Sequence, residues 1–226
     1  MNRQFFQDQL DRLMADTLAL GSRVEEALAQ ALRAVQTNDL DLMQRIVNDD
    51  KQINTAAQAL HERCLTLIAR QQPMASDLRE ISVVLSLLPE MERMADHAAT
   101  CCKIGRRMNA EPGFVPLQAM GGIFPEAIPE MGDRVLRLLH CGLDALARRD
   151  AAYAEHLCHD DDEIDHIYRR LFRETIDLAR TQPEYSDEAI HLLTLAHNLE
   201  RIGDRVTNLA EQVIFLLRGE IVELNT

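Results

Sequence analysis

The sequence states its landmarks twice. Thr37-Asn38-Asp39 returns as Arg148-Arg149-Asp150 and Asp50-Lys51-Gln52-Ile53-Asn54 as Asp161-Asp162-Glu163-Ile164-Asp165, each 111 positions on. Gln72-Pro73 with Ser76-Asp77 returns as Gln182-Pro183 with Ser186-Asp187, 110 positions on. Met91-Glu92-Arg93-Met94-Ala95-Asp96-His97 returns 108 positions later as Leu199-Glu200-Arg201-Ile202-Gly203-Asp204-Arg205. Four landmarks in one order at a nearly constant offset mark an internal duplication, so each copy must be a self-similar unit of the fold.

Within each copy the apolar residues recur at helical spacing. Phe6, Leu10, Leu13, Leu18, Val24, Leu28, Leu32 and Val35 trace a first helix from about Arg3 to Gln36. Asn38 or Asp39 is placed to cap a second, which ends near Gln71-Gln72. Pro73 is expected to open the third, running to about Met108 and kinked by Pro89 one turn before Glu92. A fourth helix starts between Phe124 and Glu130 and reaches Arg148. Asp150 caps the fifth, and the sixth runs from about Asp187 to Arg218, with Gly219 as its C-cap. The expected fold is all-α: two pseudo-symmetric antiparallel three-helix bundles, residues 1–109 and 123–226, joined by a breaker-rich linker over 110–122.

The repeated motif carries chemistry. On a helix, residues i and i+4 share one face, so Glu92/Asp96 and Glu200/Asp204 are paired carboxylates that repel one another by a few tenths of a kcal/mol. Keeping that cost in both copies points to a compensating cation, and oxygen-rich clusters suit hard or borderline divalent and trivalent metals. Asp49, Asp50, Asp160, Asp161 and Asp165 lie beside the matched isoleucines of the second and fifth helices, and antiparallel packing brings these acids towards the motif pairs. Ala95 and Gly203 are small enough for another backbone to approach. Gly203 costs a helix interior roughly 1 kcal/mol against alanine, so close packing is expected there. Arg93 and Arg201 are expected to hold the bundles together through carboxylate bonds.

Charge and composition exclude several functions. A formal net charge of −13 argues against a nucleic-acid partner and against a side-chain site for a free anion, while favouring cations. No apolar run is long enough to span a membrane, and Met1-Asn2-Arg3-Gln4-Phe5-Phe6 opens no signal-peptide core. Five cysteines without a Cys-x-x-Cys indicate a reducing compartment, so the expected location is cytoplasmic.

The two Glu-Arg-x-x-Asp copies, Asp50-x-x-Ile53, and Gln71-Gln72-Pro73-Met74-Ala75-Ser76-Asp77-Leu78-Arg79, set in this two-fold layout, resemble the PhoU family from Phe6 to Leu217. The resemblance implies metal sites of iron, zinc, manganese or nickel on Glu92, Asp96, Glu200 and Asp204, with Asp50, Asp161 and Asp165 in support. It implies a homodimer; separately, no catalytic motif is found in the residues, so no enzymatic activity is expected. It also implies a negative regulator of phosphate uptake, an adaptor linking the phosphate ABC transporter to a sensor histidine kinase. His97 in place of Arg205, Asn54 in place of Asp165, and Thr100 and Lys103 in place of Asn208 and Glu211 favour the second site as the better charged.

The alternatives are a metal-storage or ferritin-like redox protein and a metal-free scaffold. Glu163/His166 and Glu188/His191 imitate the Glu-x-x-His pairs of di-metal oxidases. The first pair falls off the apolar stripe and the second falls in the first turn of its helix. His156-Leu157-Cys158-His159-Asp160 offers divergent ligands with no partner motif. No nucleophile elbow or phosphate loop occurs.

Overall fold

The computed structural model describes residues 3–111 and 113–224, with the side chains of Cys158 and Asp160 also outside the described set. The readings on Met1-Asn2, Pro112, Cys158 and Asp160 therefore fall outside the described residues. Six long helices account for most of the remainder: α1 (Arg3–Thr37), α2 (Leu40–Gln71), α3 (Ser76–Ala110), α4 (Phe124–Arg148), α5 (Ala151–Thr181) and α6 (Ser186–Arg218). Among the described residues there is no strand.

The helix ends follow from local chemistry. The Asp39 carboxylate accepts from the Leu42 N–H at 2.9 Å and that of Asp150 from the Tyr153 N–H at 2.9 Å, each satisfying a donor orphaned at a helix start. Just before these caps, Asn38 (φ 54°) and Arg149 (φ 53°) occupy the left-handed region at equivalent points of the repeat. Gly219 (φ 75°) ends α6 in the same conformation, which glycine adopts without steric cost.

Pro73 does not open α3. Left-handed Gln72 closes α2, its N–H bonding the Ile68 carbonyl, and Ala75 turns at φ 49° before the helix starts at Ser76. A positive φ at Ala75 is incompatible with a helical turn, so Pro73 is left in the connection. Its counterpart Pro183 starts a short 3₁₀ turn, Pro183–Tyr185. Downstream, α3 continues without interruption through Pro89.

One hydrophobic core runs through both sets of helices. At the α1–α4 crossing, a Cβ on Gly132 would lie 2.5 Å from Leu32 Cδ2, and Leu143 sits over Gly21 in the same way. Leu32 and Leu143, like Gly21 and Gly132, are equivalent under the 111-residue repeat, so the knob and hole are exchanged across a pseudo-two-fold axis. In the central layer α3 and α6 are antiparallel. Glu90 meets Arg205 and Asn208, His97 Nδ1 lies 2.9 Å from Asn198 Oδ1, and Cys101 Sγ reaches the Leu195 carbonyl at 3.9 Å. This register puts Met94 opposite Ile202, its own image under the 108-residue repeat. Both acidic motifs therefore straddle the pseudo-dyad.

Candidate functional site

The second acidic cluster forms where α5 and α6 pack. Gly203 is the hole into which Asp161 sinks, since a Cβ there would lie 2.5 Å from Asp161 Oδ1. What approaches Gly203 so closely is thus a carboxylate side chain rather than the backbone expected from the sequence. The Thr207 hydroxyl donates to Asp161 Oδ2 at 3.2 Å. Asp165, Glu200 and Asp204 complete the cluster, and their fields are felt in its titration. Burial pushes Asp161 up to about 7; the charges of Asp204, Asp165 and Asp162 add to this, and the Thr207 hydrogen bond opposes it. Glu200 is likewise raised to about 7 by burial and by Asp204 and Asp165, against Arg201. Asp204 is raised chiefly by burial.

The first cluster is the same construction with pieces removed. Ala95 replaces Gly203 and Ala99 replaces Thr207, so the first half has neither the glycine that admits Asp161 nor the hydroxyl that donates to it. Asp50 Oδ1 is buried without a hydrogen-bond partner, and so is Asn54 Oδ1. Burial and the adjacent Asp96 carboxylate raise the Asp50 pKa. Glu92 is half-buried and Asp96 exposed.

Among the described residues, Arg93 and Arg201 make no ion pair between the bundles. Arg93 pairs with Glu90 at 3.1 Å and Arg201 with Asp204 at 3.3 Å, each within its own helix. The tie between α3 and α6 falls to Arg205, 3.3 Å from Glu90 Oε2, which also accepts from the Asn208 amide at 3.1 Å. Under the repeat, Glu90–Arg205 corresponds to Asn198–His97, so the dyad carries an ion pair on one side and an imidazole–amide contact on the other. Glu90 and Asn198 lie outside the repeated motif, which is why sequence spacing alone did not single them out. Thr207 falls four residues after Gly203, one turn beyond the motif, and that spacing was the available signal.

The fit to a metal can be judged from the side chains. Hard oxygen donors are present in both clusters, and Glu200 Oε2, like Asp50 Oδ1, is buried with no hydrogen-bond partner. His197 Nδ1 lies 3.2 Å from Glu200 Oε2 but not in hydrogen-bonding geometry. Among the described residues, no three His, Cys, Asp or Glu side chains converge at ligand spacing. The donor types are those a hard cation takes, but as placed the carboxylates do not converge on a common point.

The imitations of other sites disperse. Glu163 and His166 are exposed, with Glu163 3.9 Å from Arg134, while His191 lies 3.2 Å from Glu111 of the linker. Cys64, Cys101, Cys102 and Cys141 are free thiols, and burial raises Cys64 to about 11 and Cys102 to about 12. No helix among the described residues is long and apolar enough to cross a membrane.

Comparison with known proteins agrees with this duplicated architecture. The PhoU domain model matches twice, over residues 17–105 and 128–213. The phosphate-specific transport system accessory protein PhoU homolog of Clostridium acetobutylicum is 31% identical over 226 residues, covering 100% of both chains. The crystal structure of the phosphate transport system regulatory protein PhoU from Streptococcus pneumoniae superposes with a TM-score of 0.85 at 29% identity, covering 96% of this chain and 99% of that one. PhoU from Pseudomonas aeruginosa gives 0.86 at 29% identity, over 95% and 100%. The chain therefore belongs to the PhoU family, as the duplicated acidic motif had indicated.

Proposed function

We propose that this chain is a cytoplasmic accessory protein of a phosphate-specific transport system, restraining phosphate uptake and the phosphate-starvation response when phosphate is abundant. The carrying observation is the match of both halves to the PhoU domain, together with full-length relatives named as accessory or regulatory proteins of phosphate transport. The architecture suits an adaptor: a rigid helical frame with two different faces related by a pseudo-dyad. Its partners in this reading are the phosphate ABC transporter and a sensor histidine kinase, and a homodimer is its working form.

The proposal includes a hard divalent or trivalent cation (iron, zinc, manganese or nickel) held by Glu200, Asp204, Asp161 and Asp165, with Glu92, Asp96 and Asp50 as the weaker set. Such an ion, when bound, neutralises the crowded carboxylates. The residues themselves orient it: Gly203 admits Asp161, and Thr207 fixes one of its oxygens. Arg201 and Arg205 limit the net negative charge nearby. No catalytic role is assigned to these groups.

The deciding experiment is alkaline phosphatase activity in a deletion strain grown in abundant phosphate. Constitutive activity, returned to a low level by the wild-type gene, supports the negative regulator. Normal repression in the deletion strain removes that reading.

A further inference from the structure

The register of antiparallel α5 and α6 is fixed by Asp161 against Gly203 and Thr207, and by the Tyr168 and His197 rings, 5.8 Å apart. Tyr168, Phe172 and Ile176 follow one another at i, i+4 and i+8 along α5, a row on one helix face. Ile190, Thr194 and His197 form a second row, at i, i+4 and i+7 along α6. The rows touch at Tyr168 and His197 and run side by side towards the start of α6, which sets Ile176 level with Ile190. Phe172 is 49% exposed, Ile176 40% and Ile190 53%, so three large apolar side chains reach solvent together. Single apolar residues on a surface are ordinary; three adjoining ones on two helices are not.

Cations edge this patch on the α5 side. Arg173 lies three residues before Ile176 and Arg180 four after it, so each is its neighbour on the helix surface. Both are exposed; Arg180 is 4.0 Å from Asp177, and among the described residues Arg173 has no ion pair. Glu174 is turned away against Gly122 of the linker, and Arg169 is occupied by Asp165 at 2.7 Å. The fold does not demand this surface. Under the 111-residue repeat Phe172, Arg173 and Arg180 correspond to His61, Glu62 and Ala69, while Ile190 falls on Glu80 or Ser82 by the 110- or 108-residue offset. Of the set only Ile176 keeps an apolar counterpart, Leu65.

We infer that the Phe172–Ile176–Ile190 patch docks a short helical segment of a partner protein, one with apolar side chains on one face and carboxylates along the edge that meets Arg173 and Arg180. Apolar anchors beside arginine are the composition of a protein-binding surface, and the charges at its rim select the partner. These arginines give an otherwise acidic chain, of net charge −13, a local preference for acids. A broad anionic surface is a poorer match. Asp165, of the carboxylate cluster, lies seven residues before Phe172, about 10 Å along the helix. A layer of anionic lipid headgroups would press against that cluster, whereas two or three turns of helix end before it. A second copy meeting this one through the same patch would set arginine against arginine. The patch uses none of the clustered carboxylates and needs no cation. It stands whether or not the chain regulates phosphate uptake.

The test uses the full chain and fluorescein-labelled peptides of about 11 residues, three turns, stapled because so short a helix does not hold alone. One peptide has leucines along one face with glutamates beside them; its twin has lysines in place of the glutamates. Anisotropy titrations are run on the wild type, on Arg173→Glu/Arg180→Glu and on Ile176→Ser/Ile190→Ser, all at exposed positions. The net charge of −13 alone would favour the lysine peptide, so a preference for glutamate is diagnostic. The glutamate peptide is expected to bind the wild type at least about tenfold tighter than its twin. The charge reversal is expected to invert that order, and the serine variant to lose about tenfold in affinity. Unchanged helical circular dichroism would place the serine variant's loss in the patch, and the inverted order is a gain that misfolding cannot produce. Preference of the wild type for the lysine peptide, absence of saturable binding, or an order untouched by charge reversal would overturn the proposal. Two further results would also overturn it. Binding to phosphatidylglycerol vesicles that the charge reversal abolishes would assign the patch to a membrane, and a dimer in sedimentation equilibrium that the serine substitutions dissociate would assign it to a second copy.

Discussion

Leu32 of α1 closes over Gly132 of α4 so tightly that a single added carbon would lie 2.5 Å from its Cδ2. The pseudo-dyad repeats this contact with Leu143 over Gly21, so the α1–α4 seam depends on two glycines kept in helix interiors despite their intrinsic cost.

Gly132→Ala is expected to destabilise the chain by about 1–3 kcal/mol, because forced repacking outweighs the gain in helix propensity. At this size that is a fall in Tm of about 2–4 °C per kcal/mol, read by calorimetry. Combining it with Leu32→Ala should cost less than the sum of the two single changes, since the second removes the clash created by the first. Strict additivity would mean that Leu32 is not what fills the space over Gly132.

Glu90 receives Arg93, Arg205 and Asn208 together, and Glu90→Ala strands the largely buried Arg205 guanidinium. The expected loss is about 2–3 kcal/mol by denaturant unfolding. Arg205→Met is expected to be milder, and the double change should show a coupling of about 1 kcal/mol or more.

The metal-free chain should be less stable at pH 8 than at pH 5.5. Asp161 and Glu200 titrate at about 7 when folded and near 4 when unfolded, so the folded state binds protons more tightly. Their stabilising contribution is complete below about pH 4 and fades as pH rises through 7. After allowance for screening, the combined change is on the order of 2 kcal/mol, or a Tm drop of about 4–8 °C. A flat Tm across that interval would show that the cluster is better solvated than its burial implies.

Thr207→Ala removes the hydroxyl that favours the ionised form of Asp161. The carboxyl should then titrate above 7, measurable by carbon NMR of that side chain. A lower midpoint would mean that water replaces the hydroxyl with a stronger donor.

Addition of manganese(II) or zinc(II) above pH 7 is expected to raise Tm by several degrees through binding to the folded state. Glu200→Ala/Asp204→Ala should abolish the rise, whereas Glu92→Ala/Asp96→Ala should reduce it only in part. A Tm indifferent to either metal would remove the structural-metal proposal.

Much of this was legible in the residues. The helical periodicity, the caps at Asp39 and Asp150, Gly219 and the repeat located the six helices closely, because each is a local signal. Pro73 misled because the positive φ at Ala75 is set by how α2 hands over to α3, which the propensity of a single residue does not encode. Of the acids on α2 and α5, Asp50 does lie against Asp96, and Asp161 and Asp165 against Asp204 and Glu200, as antiparallel packing required. The consequence of replacing Gly203 and Thr207 by Ala95 and Ala99 emerged only once Asp161 and Asp50 were placed. The roles of Arg93 and Arg201 were misjudged for a similar reason: their partners are set by rotamers within one helix, while Glu90, outside the motif, takes the cross-helix contact.

Met94 facing Ile202 has an evolutionary reading. A homodimer of half-length chains built on the same axis would have to repeat every contact, pairing a charge with a charge on both sides or on neither. Fusion of two copies in one polypeptide ends that obligation, because each substitution is then felt once. The Glu90–Arg205 ion pair beside the Asn198–His97 contact is an arrangement that such a homodimer could not hold. Nor could it hold the difference between the two acidic clusters, with Gly203 and Thr207 in one half and Ala95 and Ala99 in the other.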